Sequence, residues 1–120
     1  MKKKTLVLGA SINPSRYSYL AIQRLISNKQ EVEAIGRKEG EVSGIKICTT
    51  KKIFKDIHTI TLYLNKGNQV KFYDYIVALN PKRVLFNPGT ENIELEKLLS
   101  KNNIAFEKAC TLVLLGLGEY

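Results

Sequence analysis

Residues 5–11 read Thr-Leu-Val-Leu-Gly-Ala-Ser, an apolar run that stops at Gly9. Ile-Asn-Pro-Ser-Arg follows at positions 12–16, and a helical pattern of apolar residues begins there. A buried parallel strand that ends at a glycine and turns into a helix leaves main-chain N–H groups at the positive end of the helix dipole. Such a turn holds an anion with amides rather than with side chains. The stretch therefore predicts a phosphate-binding turn and a nucleotide-type ligand.

Length and composition are those of one globular domain. The chain has 120 residues, of which 44% are hydrophobic and 25% charged, so a single domain over residues 1–120 can bury its own core. The two cysteines, Cys48 and Cys110, are too few for a disulfide framework and favour a cytoplasmic location. The basic run at 2–4 precedes an apolar run far too short for a signal peptide, and no membrane association is expected.

The chain is basic, with 19 Lys and Arg against 11 Asp and Glu and a net charge of +8. Such a charge attracts polyanions, whether nucleic acid, acidic membrane or a phosphorylated cofactor. The lysines are scattered, and no predicted helix carries them on one face with interleaved aromatic residues. We therefore expect most of the charge to be solvated surface and expect no specific nucleic-acid partner.

Strand and helix patterns alternate along the whole chain. Strands are predicted at 5–10, 31–36, 45–49, 59–64, 83–86 and 105–109, and helices at 16–28, 68–79 and 91–101. A polar loop is predicted at 37–44, a single helical turn at 51–54, and either a short helix or an edge strand at 111–117. This alternation predicts right-handed βαβ units. The expected fold class is α/β, a Rossmann-like doubly wound parallel sheet in a three-layer α/β/α sandwich.

The first turn lacks the dinucleotide fingerprint. A G-x-G-x-x-G pattern that starts at Gly9 needs two further glycines, where the chain has Ser11 and Pro14. An NAD site also needs an acidic residue at the end of the second strand, where the chain has Gly36 and Arg37. An arginine there favours a phosphate on the ribose, as in NADP or coenzyme A. The alternative is that Arg37 is a solvated loop residue.

The loops that follow the strands, taken together, resemble those of a known family. The motifs that carry the resemblance are Gly9-Ala10-Ser11, Asn13-Pro14-Ser15-Arg16-Tyr17, the loop with Gly40 and Gly44, Tyr63-Leu64-Asn65, Pro81-Lys82-Arg83, Phe86-Asn87-Pro88-Gly89-Thr90-Glu91 and Ala109-Cys110-Thr111. Over nearly the whole chain they look like the small stand-alone CoA-binding domain proteins, which are similar to the N-terminal CoA-binding domain of the succinyl-CoA synthetase α subunit. The resemblance implies a Rossmann-like domain that holds coenzyme A or an acyl-CoA across its strand ends, with no established reaction.

Carried over position by position, the resemblance implies a binding residue in each loop. These are Gly9, Ala10 and Ser11 at the pyrophosphate, Asn13 and Arg16 at the helix start, Arg37 and Gly40 at the adenosine end, Tyr63, Leu64 and Asn65 as the wall for adenine or the pantetheine arm, and Asn87, Gly89 and Thr90 on the pantetheine side. Many relatives have a proline-containing segment such as Val-Asn-Pro after the second strand, where this chain has Ile35-Gly36-Arg37. This departure affects how the adenosine would be recognised.

No residue is expected to be catalytic, and no metal site is expected. The sole histidine, His58, precedes a strand and so lies at the edge of the sheet opposite the expected ligand. Cys110 follows the last strand, where a thiolate could exchange with the CoA thiol, although a buried structural cysteine is the commoner case. Paired carboxylates and metal-ligand clusters are lacking in the loops that follow the strands.

Three kinds of function remain open at this level. The first is a non-catalytic protein that binds CoA or acyl-CoA, with the pyrophosphate at the first strand–helix turn. The alternatives are a small NADP-dependent oxidoreductase or other nucleotide-binding module, and an RNA-binding or assembly module attracted by the basic charge. The apolar residues Leu112, Leu114, Leu115 and Leu117 form either a homodimer contact or one more packed helix.

Overall fold

The computed structural model describes residues 2–120 of the chain. Its strands are β1 (Thr5–Ala10), β2 (Val32–Gly36), β3 (Gly40–Val42), β4 (Ile45–Cys48), β5 (Thr59–Leu62), β6 (Arg83–Phe86) and β7 (Ala105–Lys108). Its helices are α1 (Tyr17–Ser27), α2 (Lys66–Gln69), α3 (Tyr73–Leu79), α4 (Ile93–Lys101) and α5 (Thr111–Gly116), and a 3-10 turn over Val70–Phe72 joins α2 to α3. No helix within residues 2–120 is long and apolar enough to cross a membrane.

The strands form one seven-stranded sheet in the order β3-β4-β2-β1-β5-β6-β7. All neighbouring strands are parallel except β3, which pairs antiparallel with β4 at one edge. Without β3, the parallel strands follow the order 3-2-1-4-5-6 of the Rossmann fold. The predicted Rossmann-like, doubly wound sheet is therefore confirmed.

Both faces of the sheet are covered, because alternate residues of the central strands point to opposite sides. In β1, Leu6 and Leu8 pack with α3 and α4 in one apolar cluster, which also includes Ile76 and Leu95. Val7 points the other way, into a cluster formed with residues of α1 and α5. These β1 side chains are completely buried, as expected for a central parallel strand. The result is the expected three-layer α/β/α sandwich.

The predicted loop at 37–44 was wrong in part, because residues 40–48 form a β-hairpin. Val42 pairs with Ile45, and the two residues between them, Ser43 and Gly44, have positive φ values of 50° and 83°. Two left-handed residues between paired strands are typical of a type I′ turn, whose twist matches the twist of the strands. The Ser-Gly pair is the signal that the sequence interpretation passed over. Val42 is buried, so the hairpin also contributes to the core.

Other boundaries differ because tertiary contacts overrode local patterns. Residues 51–54 form no helical turn; the Tyr75 hydroxyl donates a hydrogen bond to the main-chain oxygen of Lys52 and holds this segment against α3. The predicted helix at 68–79 begins earlier, because the Asn65 side chain accepts a hydrogen bond from the amide of Asn68 and caps α2. Residues 111–116 form helix α5 rather than an edge strand.

Candidate functional site

A cleft of about 400 Å³ opens at the carboxyl ends of the strands. It lies beside the boundary between β1 and β5, where the chain reverses its direction of progress across the sheet. Open α/β sheets bind ligands at this switch point. The volume lies within the roughly 300–1,000 Å³ that is usual for small-molecule sites. The residues that line the cleft are Gly9, Ile35, Gly36, Arg37, Thr49, Leu64, Asn68, Lys71 and Phe72.

The floor of the cleft consists of main chain, because two glycines allow close approach. Gly9 has a φ of 102°, and a Cβ atom there would lie 2.8 Å from the main-chain carbon of Tyr63. At Gly36 a Cβ atom would lie 2.3 Å from the carbonyl oxygen of Ala10. Gly9 is the extra residue where the register between β1 and β2 shifts. Larger residues at either position would push the strand ends apart.

The loop from Ser11 to Arg16 leads from this floor into α1 and is ordered by its own hydrogen bonds. The Ser11 hydroxyl oxygen accepts from the amide of Asn13 at 3.1 Å, so its hydrogen remains for an anion. The side-chain Oδ1 atom of Asn13 accepts from the amide and the hydroxyl of Ser15. Arg16 occupies the N-cap position of α1 without capping it, and the first turn carries no acidic residue. The first amide groups of α1 therefore keep their capacity to bind an anion.

The opposite rim of the cleft is positively charged. Arg37 and Lys71 both line the cleft and both are exposed. The ion pairs among residues 2–120 are Lys4 with Glu33 and Lys108 with Glu96, so no carboxylate neutralises Arg37 or Lys71. The cleft thus carries cationic side chains, and Gly9 in its floor begins the loop that leads to the free amides of α1. Cationic side chains and helix-terminal amides both attract anions.

The wall after β5 is held by a buried polar network around Gln69. Its side-chain nitrogen donates to the main-chain oxygens of Leu64 and Thr90, both at 2.8 Å. Its side-chain oxygen accepts from Asn92, which also donates to the Tyr73 hydroxyl. Gln69 is completely buried, so the network ties the loop after β5 to the loop after β6. Leu64 presents its side chain to the cleft from this fixed position.

Tyr63 does not line the cleft, although the resemblance implies a place for it in the wall. Its ring packs into the cluster under α1 and α5. The hydroxyl is buried and has no hydrogen-bond partner at normal distance, although the hydroxyls of Thr61 and Thr111 are close neighbours. Burial raises the pKa of Tyr63 to about 12 and outweighs the opposing effect of the two threonines. Tyr63 contributes to the site through its main chain, against which Gly9 packs.

Two of the three predicted binding residues in the loop after β6 have buried side chains. Asn87 is 2% exposed, donates to Thr61 and to the oxygen of Leu62, and accepts from the amide of Thr111. Thr90 is also buried, and its hydroxyl donates to the oxygen of Asn87 at 2.7 Å. Only Gly89, with a φ of 90°, is exposed. The side chains of Asn87 and Thr90 therefore shape this loop and join β5, β6 and α5.

The cleft lining does not include several predicted site residues, namely Ala10, Ser11, Asn13, Arg16, Gly40 and Asn65. Ala10 follows Gly9 and pairs with Gly36 of β2. Gly40 packs against Ile12, and a Cβ atom added to Gly40 would lie 2.3 Å from the Ile12 Cγ2 atom. Cys110 is a half-buried free thiol at the start of α5, and Cys48 is also free. Residues 2–120 contain no cluster of three or more His, Cys, Asp or Glu side chains that could hold a metal ion.

His58 lies at the amino end of β5, at the edge of the sheet opposite the cleft. Its Nδ1 atom is 2.8 Å from the Thr59 hydroxyl, which also accepts from Arg83. Burial lowers the pKa of His58, and the nearby charges of Arg83, Lys3 and Lys82 lower it further. The predicted location at this edge is thus confirmed, and the pKa of His58 lies below its ordinary value of 6.5.

Of the predicted site residues, Gly9, Arg37 and Leu64 line the cleft, together with residues that the sequence did not indicate as binding residues. Those missed as site residues are Ile35, Gly36, Thr49, Asn68, Lys71 and Phe72. Gly36 is the last residue of β2 and Thr49 directly follows β4, so the rule that places ligands at the carboxyl ends of strands could have indicated both. Asn68, Lys71 and Phe72 lie on the helical segment after β5, and only its packing against the sheet brings them to the cleft.

Comparisons with known proteins agree with this architecture. A family model described as CoA binding domain matches residues 3–116. A crystal structure of an uncharacterized protein is 49% identical, with a TM-score of 0.97, and the match covers 100% of this chain and 99% of that one. No curated protein is similar enough in sequence to match the chain.

Two more distant structures share the fold. A protein from Thermus thermophilus is 20% identical with a TM-score of 0.87, and the match covers 99% of this chain and 91% of that one. A dinucleotide-forming acetyl-coenzyme A synthetase from Ca. Korarchaeum cryptofilum, in complex with phosphate and ADP, is 17% identical with a TM-score of 0.74. That match covers 88% of this chain and 25% of the synthetase. With the family model spanning nearly the whole chain, this protein belongs to the CoA-binding domain family.

Proposed function

We propose that this protein binds coenzyme A or an acyl-CoA, without catalysing a reaction of its own, and holds the pyrophosphate at the turn from β1 to α1. The observation that carries the proposal is the cleft at the switch point, which Gly9 and Arg37 line, with Arg37 outside the ion pairs formed within residues 2–120. The loop that starts at Gly9 leads directly to the uncapped start of α1. Membership in the family supports the choice of CoA among phosphorylated nucleotides.

In this proposal the pyrophosphate contacts Gly9, Ala10 and Ser11, and Arg16 adds a positive charge at the helix start. The Ser11 hydroxyl hydrogen and the first amides of α1 supply donors to the phosphate oxygens. The adenosine end lies toward Arg37, on the side of the cleft that Leu64 and Asn68 also line. The pantetheine arm leaves past Gly89, the exposed residue of a loop whose Asn87 and Thr90 side chains are committed internally.

Isothermal titration calorimetry with CoA and with pantetheine tests the proposal. CoA should bind and pantetheine should not, because pantetheine lacks both the pyrophosphate and the adenosine. Arg16→Gln should weaken CoA binding about five- to tenfold, as expected for the loss of one charge-assisted contact. Arg24→Gln is the matched control, because Arg24 is exposed in the last turn of the same helix. Absence of CoA binding at high micromolar protein would refute the proposal.

Native mass spectrometry of the purified protein is a second, independent test of the proposal, because it measures the mass of any ligand that co-purifies. A protein that binds CoA should carry over an added mass equal to CoA or to one of its acyl derivatives. An added mass equal to NADP would favour the alternative of a small NADP-dependent oxidoreductase, for which Arg37 would contact the 2′-phosphate. The same spectrum gives the subunit count and so tests whether the protein is a homodimer.

A further inference from the structure

Two lysines from separate segments meet on one aromatic ring at the edge of the cleft. The Lys71 Nζ atom lies 5.6 Å from the centre of the Phe72 ring, and the Lys51 Nζ atom lies 5.4 Å from the same centre. Lys51 comes from the irregular segment after β4, and its ammonium group also donates a hydrogen bond to the main-chain oxygen of Lys71. Phe72 is buried with 9% exposure, so the ring is a fixed platform for the two side chains.

This arrangement concentrates positive charge without a counter-charge from the protein. Arg37 lines the same cleft as Lys71 and Phe72. Neither of the ion pairs formed within residues 2–120 involves Arg37, Lys51 or Lys71. Like charges held close together repel each other, and a bound anion removes that repulsion. A phosphomonoester carries nearly two negative charges at neutral pH, so such a group of cations attracts it strongly.

We propose that Lys51 and Lys71, held by Phe72, form a subsite for a phosphomonoester on the ribose of the bound nucleotide. The inference rests on the proposed function, since the cleft must hold an adenine nucleotide. It assigns the recognition of the ribose phosphate to residues that the sequence did not indicate. Phe72 acts as a positioning residue here, because two ammonium groups lie over its ring and a stacked base would have to displace them. The subsite is separate from the turn that holds the pyrophosphate.

The test compares ligand pairs that differ only in this phosphate. Isothermal titration measures CoA against dephospho-CoA, and adenosine 3′,5′-bisphosphate against AMP, for the wild type and for Lys51→Gln, Lys71→Gln and Arg37→Gln. Lys101→Gln is the charge-matched control, because Lys101 is exposed at the far end of α4. The lysine variants should reduce the preference for the phosphomonoester about tenfold each, with dephospho-CoA and AMP changing less than about twofold.

Each result separates this inference from the proposed function. An equal loss of affinity for both members of a pair, or no loss in either lysine variant, overturns the subsite. If the wild type binds neither CoA nor dephospho-CoA but prefers adenosine 3′,5′-bisphosphate to AMP through Lys51 and Lys71, the subsite holds and the CoA proposal fails. Titration with NADP and NAD shows whether a 2′-phosphate is accepted in place of a 3′-phosphate.

Discussion

At the scale of single residues, the cleft depends on positions where the protein has no side chain. Gly9 has a left-handed φ of 102° and packs against the main chain of Tyr63, and Gly36 packs against the main chain of Ala10. Backbone atoms cannot move aside as the end of a flexible side chain can. A substitution at either glycine therefore disturbs the strand ends that form the floor of the cleft.

The substitution Gly9→Ala is expected to lower the free energy of unfolding by about 3 kcal/mol, from left-handed backbone strain together with overpacking against Tyr63. Urea denaturation followed by circular dichroism measures the change. Gly116→Ala is the matched control: Gly116 lies at the end of α5 with open space around its Cβ position. The control should be unchanged or slightly more stable, and a Gly9→Ala protein as stable as the control would contradict the interpretation.

Tyr63 and Tyr75 give a second test at this scale, with effects of opposite sign. The buried Tyr63 hydroxyl lacks a partner, whereas the neighbouring Thr61 and Thr111 hydroxyls bond to each other at 2.8 Å. Tyr63→Phe should therefore raise the free energy of unfolding by about 1 kcal/mol. Tyr75→Phe removes a hydroxyl that donates to Lys52 and should lower the free energy by about 1 kcal/mol. Destabilisation by Tyr63→Phe, again measured by urea unfolding, would mean that its hydroxyl is bonded.

At the scale of elements, α2 is the part that joins the loops of the cleft. It has only four residues, Lys66–Gln69, and could not be stable as an isolated helix. Asn65 caps its start, and Gln69 at its end bonds to the loops after β5 and β6. Hydrogen bonds of Asn65 and Gln69 therefore hold this short helix in place. Through Gln69 the helix also fixes the loop that carries Leu64.

Replacement of Gln69 should therefore affect both stability and ligand binding. Gln69→Leu conserves the approximate volume but leaves the oxygens of Leu64 and Thr90 without their donor, at an expected cost of about 2–4 kcal/mol. Gln23→Leu on the exposed part of α1 is the control and should change stability by less than about 0.5 kcal/mol. Thermal unfolding and CoA titration measure the two effects. Equal stability of the two variants would show that the Gln69 network does not hold the wall.

At the scale of the whole molecule, the two edges of the sheet differ in what their positive charges do. At the carboxyl edge, Arg37 and Lys71 line a cleft and are free of carboxylate partners. At the amino edge, Arg83 and Lys3 pack over the Tyr120 ring, and both donate hydrogen bonds to its main-chain oxygen. The positive groups at the amino edge thus take part in intramolecular contacts. Arg83 and Lys3 also lie near His58 and affect its pKa.

The lowered pKa of His58 predicts a loss of stability in acid. Its ordinary value is 6.5, and burial together with Arg83, Lys3 and Lys82 moves the folded-state value below that. The unfolded chain then takes up a proton at a higher pH than the folded chain, so the stabilisation is complete above 6.5 and is lost as pH falls toward the folded-state pKa. His58→Gln should weaken the fall in unfolding free energy between about pH 7.5 and 5.5. An unchanged pH profile would contradict this, because His58 is the chain's only histidine.

Much of the molecule follows from local sequence. The apolar run of β1 and the alternation of strand and helix patterns predicted the Rossmann-like sandwich, because buried parallel strands and amphipathic helices have distinct periodicities. The predicted strands at 5–10 and 83–86 match β1 and β6. The local sequence predicted the structure less well where tertiary contacts decide it. The segment after β4 is an example: it is held by a hydrogen bond from Tyr75 and does not form the helical turn expected at 51–54.

The sequence by itself determined the fold class, the strand-to-helix turn at Gly9 and the place of Arg37 at a strand end, because each of these depends on residues adjacent in the chain. Only the tertiary structure decided which residues line the cleft. It buried the hydroxyl of Tyr63 and the side chains of Asn87 and Thr90, and it brought Lys71 and Phe72 to the cleft. The physical reason is that the direction of a loop side chain is set by packing and by hydrogen bonds to distant segments, which no local pattern records.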